Sequence, residues 1–314
     1  MKGATIKDII KPAPLREGDK IAIISPATTV KEEYITGAAD MLRREGFRVE
    51  IMPSAYGPAD GSYASSLETR LADLSSALLD PDVKCILCAR GGYGCNQLLP
   101  YISAEEICEN PKWLIGFSDI SALHALWLTS GVASLHAHMA KHLTLLPPDD
   151  PATSALLGIL RGERTMDYIV EPSPFNRLGE ATGRLQGGNL AVLNGLAATP
   201  YDILQVQPDE DVILFIEDIS EAIYAVERML IRLDFADVLG RIKGLIVGQF
   251  TEYRPDRNFS TMEEMISALL SRRGINNIPV AFNFPVGHVD FNLPLIEGER
   301  VKLTVTEDKV RLWK

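Results

Sequence analysis

The chain is predicted to be α/β, with a parallel sheet in its first half and a mixed β/α or barrel-like arrangement in its second, and three observations point there. Apolar runs of strand length at residues 20–26, 83–89 and 113–117 alternate with stretches of helical periodicity. Strands apolar at nearly every position belong to sheets covered on both faces, which is the mark of parallel β/α architecture. A Pro- and charge-rich stretch between Leu146 and Gly183 breaks this alternation, and a new one starts after it. Finally, 314 residues of which 46% are apolar can bury a sizeable core and suit two domains, divided into residues 1–168 and 169–314.

In order, residues 20–26 read as a buried strand, 30–45 as a helix closed by Gly46, and 47–53 as a second strand. Residues 54–65, rich in Gly, Pro and Ser, read as a surface loop. Leu67, Leu71, Leu74 and Leu78 recur at helical spacing over 67–79, and strands follow at 83–89 and 113–117. Residues 152–161 form a short helix inside the connecting stretch. The second half opens with the Gly-rich run 183–190 and a helix to Ala197. A strand at 211–216 ends in Glu217-Asp218 and leads into a helix at 220–233, and further strands fall at 242–249, 300–304 and 310–313. There are no internal repeats.

A net charge of −11 argues against a nucleic-acid or anionic-membrane partner, which needs clustered Lys and Arg. A small-molecule partner is expected instead. No run of eighteen apolar residues occurs and the first fourteen residues lack a signal h-region, so the expected compartment is the cytoplasm. Cys85, Cys88, Cys95 and Cys108 crowd one region, as thiols of a reducing compartment do. Cys85 and Cys88 resemble half a zinc knuckle, but in a strand residues three apart face opposite ways. His136, His138 and His142 have a tempting ligand spacing, yet no Asp or Glu lies between Asp119 and Asp149 to complete a shell. His124 falls on the apolar face of its helix and reads as a hydrogen-bonded core residue. Neither a metal nor an organic cofactor is expected.

Trp113 to Leu123 has the shape of a nucleophile elbow: an apolar strand, Gly116, then Ser118 and an immediate helix. Such a turn lifts a hydroxyl clear of the sheet and leaves the next backbone N–H at a helix N-terminus. From this stretch alone a helix cap is the favoured reading of Ser118, since Ile120 breaks the G-x-S-x-G pattern, and other stretches must decide. Upstream, Arg90-Gly91-Gly92-Tyr93-Gly94-Cys95 puts three glycines after a strand, which either makes a tight turn or brings N–H groups up to an anionic oxygen. Cys95 is a competing nucleophile. Glu217 follows an apolar run and His288 sits in the Pro/Gly loop Phe284-Pro285-Val286-Gly287-His288. With Ser118 they supply nucleophile, orienting acid and base.

On these stretches, together with Gly187-Gly188-Asn189-Leu190, the chain resembles the LD-carboxypeptidases, serine peptidases of murein recycling that include the microcin self-immunity hydrolases. The resemblance spans nearly the whole length. It implies Ser118 as nucleophile, His288 as base, Glu217 as its orienter, and the N–H groups of Gly92 and Asp119 as oxyanion hole. It implies a first domain like that of class I glutamine amidotransferases and a swivelling C-terminal β/α domain. The substrate implied is a murein tetrapeptide that loses its terminal D-alanine, with Arg90 and Asn189 as substrate-binding candidates. A microcin-type amidase is the near alternative. Where many members have His-Gly-Pro-Met, this chain has His136-Ala137-His138-Met139, so the wall there differs. Whether the chain forms a homodimer is left open.

Overall fold

The computed structural model describes residues 9–147 and 149–314. Through Thr165 the chain forms β1 (Lys20–Ile24), α1 (Glu32–Arg44), β2 (Arg48–Ile51), α2 (Leu67–Leu79), β3 (Val83–Cys88), α3 (Ala104–Glu109), β4 (Trp113–Gly116), α4 (Ser121–Thr129), β5 (Ser134–His136), α5 (Ala140–Leu145) and α6 (Pro151–Leu160). Then come β6 (Asp167–Val170), β7 (Gly179–Asn189), α7 (Leu190–Gly195), β8 (Val212–Ile219), α8 (Ile223–Phe235), α9 (Val238–Arg241), β9 (Gly244–Thr251), α10 (Met262–Arg272), β10 (Val280–Ala281), β11 (Leu295–Glu297), β12 (Arg300–Val305) and β13 (Val310–Trp313). Among the described residues no helix is long and apolar enough to cross a membrane.

The chain divides into two compact units. One runs through Thr165 and takes in Asp290–Glu297; the other comprises Met166–Val289 and Gly298–Lys314. The sequence reading placed one cut at 168/169; here the cut falls three residues earlier and the chain crosses back for eight residues. The return segment carries β11, which pairs antiparallel with β5 through Leu295↔His136 and Glu297↔Ser134.

The first unit is a sheet of order β11-β5-β4-β3-β1-β2, parallel except at β11. β4 is buried at every position and β3 at all but Lys84, as a sheet covered on both faces requires. α4 is buried from Ser121 to Leu128, so it is a core helix and not an amphipathic surface one. α2 is turned from the leucine stripe read in the sequence. Its buried face is Arg70, Asp73, Leu74, Ala77 and Leu78, two charged side chains on the same stripe as the leucines. Ser66 caps this helix by accepting from Thr69 N–H at 3.2 Å.

The second unit is a mixed sheet of order β10-β9-β8-β7-β12-β13-β6, with β7 to β10 parallel and the β12–β13 hairpin antiparallel. β6 and the start of β7 lie in the stretch read as connector, because the glycines and charges of Gly179–Asn189 hide its alternation. At Gly187 the glycine is required: a Cβ there would collide with the Phe215 carbonyl of β8. The strand expected to end at 216 continues through Glu217 and Asp218, with its register against β9 slipping there. α10, unread in the sequence, buries Met262, Met265, Ile266, Leu269 and Leu270 and opens with a Thr261/Glu264 capping box.

Candidate active site

At the carboxyl end of β4 the chain passes through Phe117 into Ser118, whose φ is 67°. A non-glycine residue in the left-handed region costs about 1–3 kcal/mol and persists only where its surroundings hold it. Ser118 opens a 3₁₀ turn that runs directly into α4, so the strand-to-helix elbow read in the sequence is present. Ser118 is half-buried.

The loop after β3 lies against it. A Cβ on Gly91 would stand 2.8 Å from Ser118 Cβ and 3.1 Å from Asp119 N. Gly92 has φ 108°, and a side chain on it would run into Thr28. Thr28 in turn pins the loop, its hydroxyl donating to the Gly91 carbonyl at 2.8 Å. Among the described residues neither the Gly92 N–H nor the Asp119 N–H donates to a protein acceptor. Gly91→Ala should fold yet lose about a hundredfold in turnover, because the serine must shift by an ångström to admit the methyl. Unchanged melting with wild-type turnover would show that the elbow yields without cost.

The buried Asp119 carboxylate accepts from Cys95 N–H at 2.8 Å, locking the glycine loop to the elbow. Burial raises its pKa, against the hydrogen bonds that lower it. Cys95 is fully buried, and burial followed by the Asp119 charge pushes its thiol well above the ordinary range. Arg70, 1% exposed, donates to the carbonyls of Ser65, Pro26 and Gly94 and to Gln97 Oε1, tying three loops together. Arg70 belongs to no motif in the sequence; its position four residues before Leu74 on the buried stripe was the available signal. Arg90 is exposed, and its guanidinium donates to the Thr29 carbonyl at 2.8 Å.

His124 is the core histidine the sequence suggested. Its Nε2 bonds the Gly116 carbonyl at 2.9 Å and its Nδ1 the Ser134 hydroxyl at 2.8 Å. Burial depresses its pKa to about 3, so it is neutral, donates from Nε2 and clamps the strand two residues before Ser118. His138 and His142 stack with ring centroids 4.7 Å apart. His138 Nε2 bonds the Asp290 carbonyl at 2.9 Å on the returning segment. Among the described residues no three His, Cys, Asp or Glu side chains are grouped to hold a metal ion.

In the second unit Glu217 is fully buried, and its Oε2 accepts from His288 Nδ1 at 2.7 Å. This bond leaves Nε2 as the working nitrogen of the ring. The His288 side chain is 14% exposed. Burial opposes its charged form, but the Glu217 hydrogen bond and the charges of Glu217, Asp218 and Glu252 outweigh it, and the imidazole pKa is raised. The loop carrying His288 is laid on β9, with Gln249 N–H donating to Val286 O at 2.9 Å and Gln249 Nε2 to Phe284 O at 3.2 Å. Gly287, φ 123°, is where the loop closes on the acid: a Cβ would lie 2.9 Å from Glu217 Oε2.

Asp218, the next residue, turns to other partners. Its carboxylate takes the Asn189 amide at 2.9 Å, Ala191 N–H at 2.8 Å and Ile219 N–H at 2.9 Å. Burial first, then the Glu217 charge, raises its pKa to about 6. Asn189 also caps α7 through Val192 N–H and is 4% exposed, so its amide is engaged inside the protein at both ends. Asp218 was not singled out in the sequence, where Glu217, directly after the apolar run, was the acid weighed.

Comparison with known proteins identifies the family. The LD-carboxypeptidase N-terminal domain matches residues 21–137 and the LD-carboxypeptidase C-terminal domain residues 182–303. The chain is 30% identical to the probable murein peptide carboxypeptidase of Bacillus subtilis, over 95% of this chain and 92% of that one. It is 26% identical to the microcin C7 self-immunity protein MccF of Escherichia coli, over 94% and 93%. The crystal structure of muramoyltetrapeptide carboxypeptidase from Oxalobacter formigenes superposes with a TM-score of 0.81 at 29% identity, covering 93% of this chain and 97% of that one. A strained serine after a parallel strand, a buried Glu–His pair and matches to both halves agree: the chain belongs to the LD-carboxypeptidase family of serine peptidases.

Proposed function

We propose that the protein is a serine LD-carboxypeptidase that removes the terminal D-alanine from murein tetrapeptides, with Ser118 as nucleophile, His288 as base and Glu217 as its orienter. The observation that carries the reading is the Glu217–His288 bond of 2.7 Å, since a fully buried carboxylate aimed at a partly exposed imidazole is a catalytic acid–base arrangement. His288 Nε2 takes the Ser118 proton as the hydroxyl attacks the carbonyl of the L-residue, and returns it to the D-alanine nitrogen as the C–N bond breaks. The N–H groups of Gly92 and Asp119 hold the oxyanion, and water resolves the acyl-enzyme. Arg90 is the candidate for the terminal carboxylate. Asn189, in this reading, acts through Asp218 instead of touching substrate. The reading carries with it a first unit of glutamine amidotransferase type and a second unit that swivels.

Incubating the purified protein with murein tetrapeptide should release one alanine by mass; an unchanged peptide refutes the proposal. Activity should survive EDTA, because serine and imidazole supply both nucleophile and proton transfer. Loss on chelation that zinc restores would bring back the His136, His138 and His142 site. The similarity to MccF favours one second reading, a microcin-type hydrolase by the same chemistry. Offering both substrates separates the two by their kcat/KM ratio.

A further inference from the structure

A cavity of about 430 Å³ in the first unit is lined by Thr29, Val30, Glu32, Ser54, Ala55, Tyr56, Gly57 and Ala64. It opens at the carboxyl ends of β1 and β2, on the same sheet edge as Ser118 after β4 and Gly91 after β3. Thr28 and Thr29 join it to the nucleophile loop, the first bonded to the Gly91 carbonyl and the second receiving the Arg90 guanidinium.

Its charge is one-sided. Glu32 is the single ionised side chain of the lining, and among the described residues no cation pairs with its carboxylate. Of the neighbouring cations, Lys31 pairs with Glu33 at 3.4 Å and Arg43 with Asp40 at 3.0 Å, while the Arg90 guanidinium meets the wall at the Thr29 carbonyl and not at Glu32. Glu32 and Glu33 both stand in the first turn of α1, and of the two only Glu32 belongs to the lining, which therefore carries a single negative side chain. Tyr56 and Ser54 add neutral oxygens, and none of the eight residues is basic. An ammonium group is the ligand chemistry such a wall selects.

We propose that this cavity is a subsite for a primary ammonium of the peptide being cleaved at Ser118, with Glu32 as its counter-charge. The inference rests on the carboxypeptidase reading. Three strand spacings of about 4.8 Å separate β4 from β2, roughly 14 Å along the sheet edge. An extended peptide covers about 3.3–3.6 Å per residue, so the three residues before the scissile bond span about 10–11 Å and reach the β1 side of the cavity, two spacings or about 10 Å from β4. D-alanine, alone beyond that bond, is too short. Two ammonium groups of a tetrapeptide lie on that side: its N-terminus, and the side chain of a diamino acid at the third position.

Three synthetic lysine-type tetrapeptides test it: one with both amines free, one acetylated at the N-terminus, one acetylated on the lysine side chain. With the wild type, acetylating one of the two amines should raise KM tenfold or more at little change in kcat, and that amine is the one bound. Glu32→Gln should raise KM for the free peptide by a similar factor and abolish the discrimination. Glu32 is an exposed first residue of α1, so the variant should fold as the wild type does. Equal KM for all three peptides removes the subsite while the carboxypeptidase reading stands, as does a Glu32→Gln enzyme that still discriminates. Failure of the wild type to release D-alanine from any of them removes both.

Discussion

Ser118→Ala should abolish D-alanine release while Cys95→Ala keeps most of it. Removing the attacking oxygen leaves only binding and the oxyanion hole, a loss of roughly a hundred-thousand-fold or more. The serine is half-buried at a left-handed φ of 67°, beside N–H groups that have no protein acceptor among the described residues. The thiol of Cys95 is sealed in the interior beside Asp119, and burial and that charge both oppose the thiolate a cysteine nucleophile needs. A fluorophosphonate should therefore label Ser118, found by peptide mass. Iodoacetamide should modify exposed Cys108, and leave activity largely intact. A folded Cys95→Ala protein without activity, beside an active Ser118→Ala, would overturn the assignment.

Glu217→Gln should fold and lose between roughly ten- and ten-thousand-fold in kcat, the range associated with neutralising the acid behind a catalytic histidine. It should also move the pH profile. In the wild type His288 must be neutral to act, and its pKa is raised, so kcat/KM should climb through a pH above the ordinary imidazole value. Without the Glu217 charge burial prevails, and the climb should shift to lower pH even as its plateau falls. The same pair contributes stability that is fully present below the unfolded imidazole pKa and fades as pH rises through the raised folded one. A variant with wild-type turnover and an unmoved profile would take Glu217 out of the mechanism.

Much of this was legible in the chain as written. Continuous apolar runs announced β1, β3 and β4 because a parallel sheet buried on both faces leaves few polar positions along a strand, here Lys20 and Lys84 near the strand starts. Ser118 stood out because strand, glycine, serine and helix follow at once, and that local order has few conformations open to it. What the residues left undecided were choices between equals that only long-range contacts resolve. The apolar run pointed to Glu217, but its partner and the role of Asp218 had no local signal; the slipped register against β9 and the close approach of Gly287 give the first to His288 and the second to Asn189 and the backbone. Arg70 went unread because most of its acceptors are distant in sequence, carbonyls twenty-four and forty-four positions away and a side chain twenty-seven away. β11 joins a sheet whose other strands all come before Thr165, which no pattern of period two or 3.6 can signal. Local chemistry determined the elements and the kinds of residue at the site; which of those residues meet depended on contacts made only when the chain closes on itself.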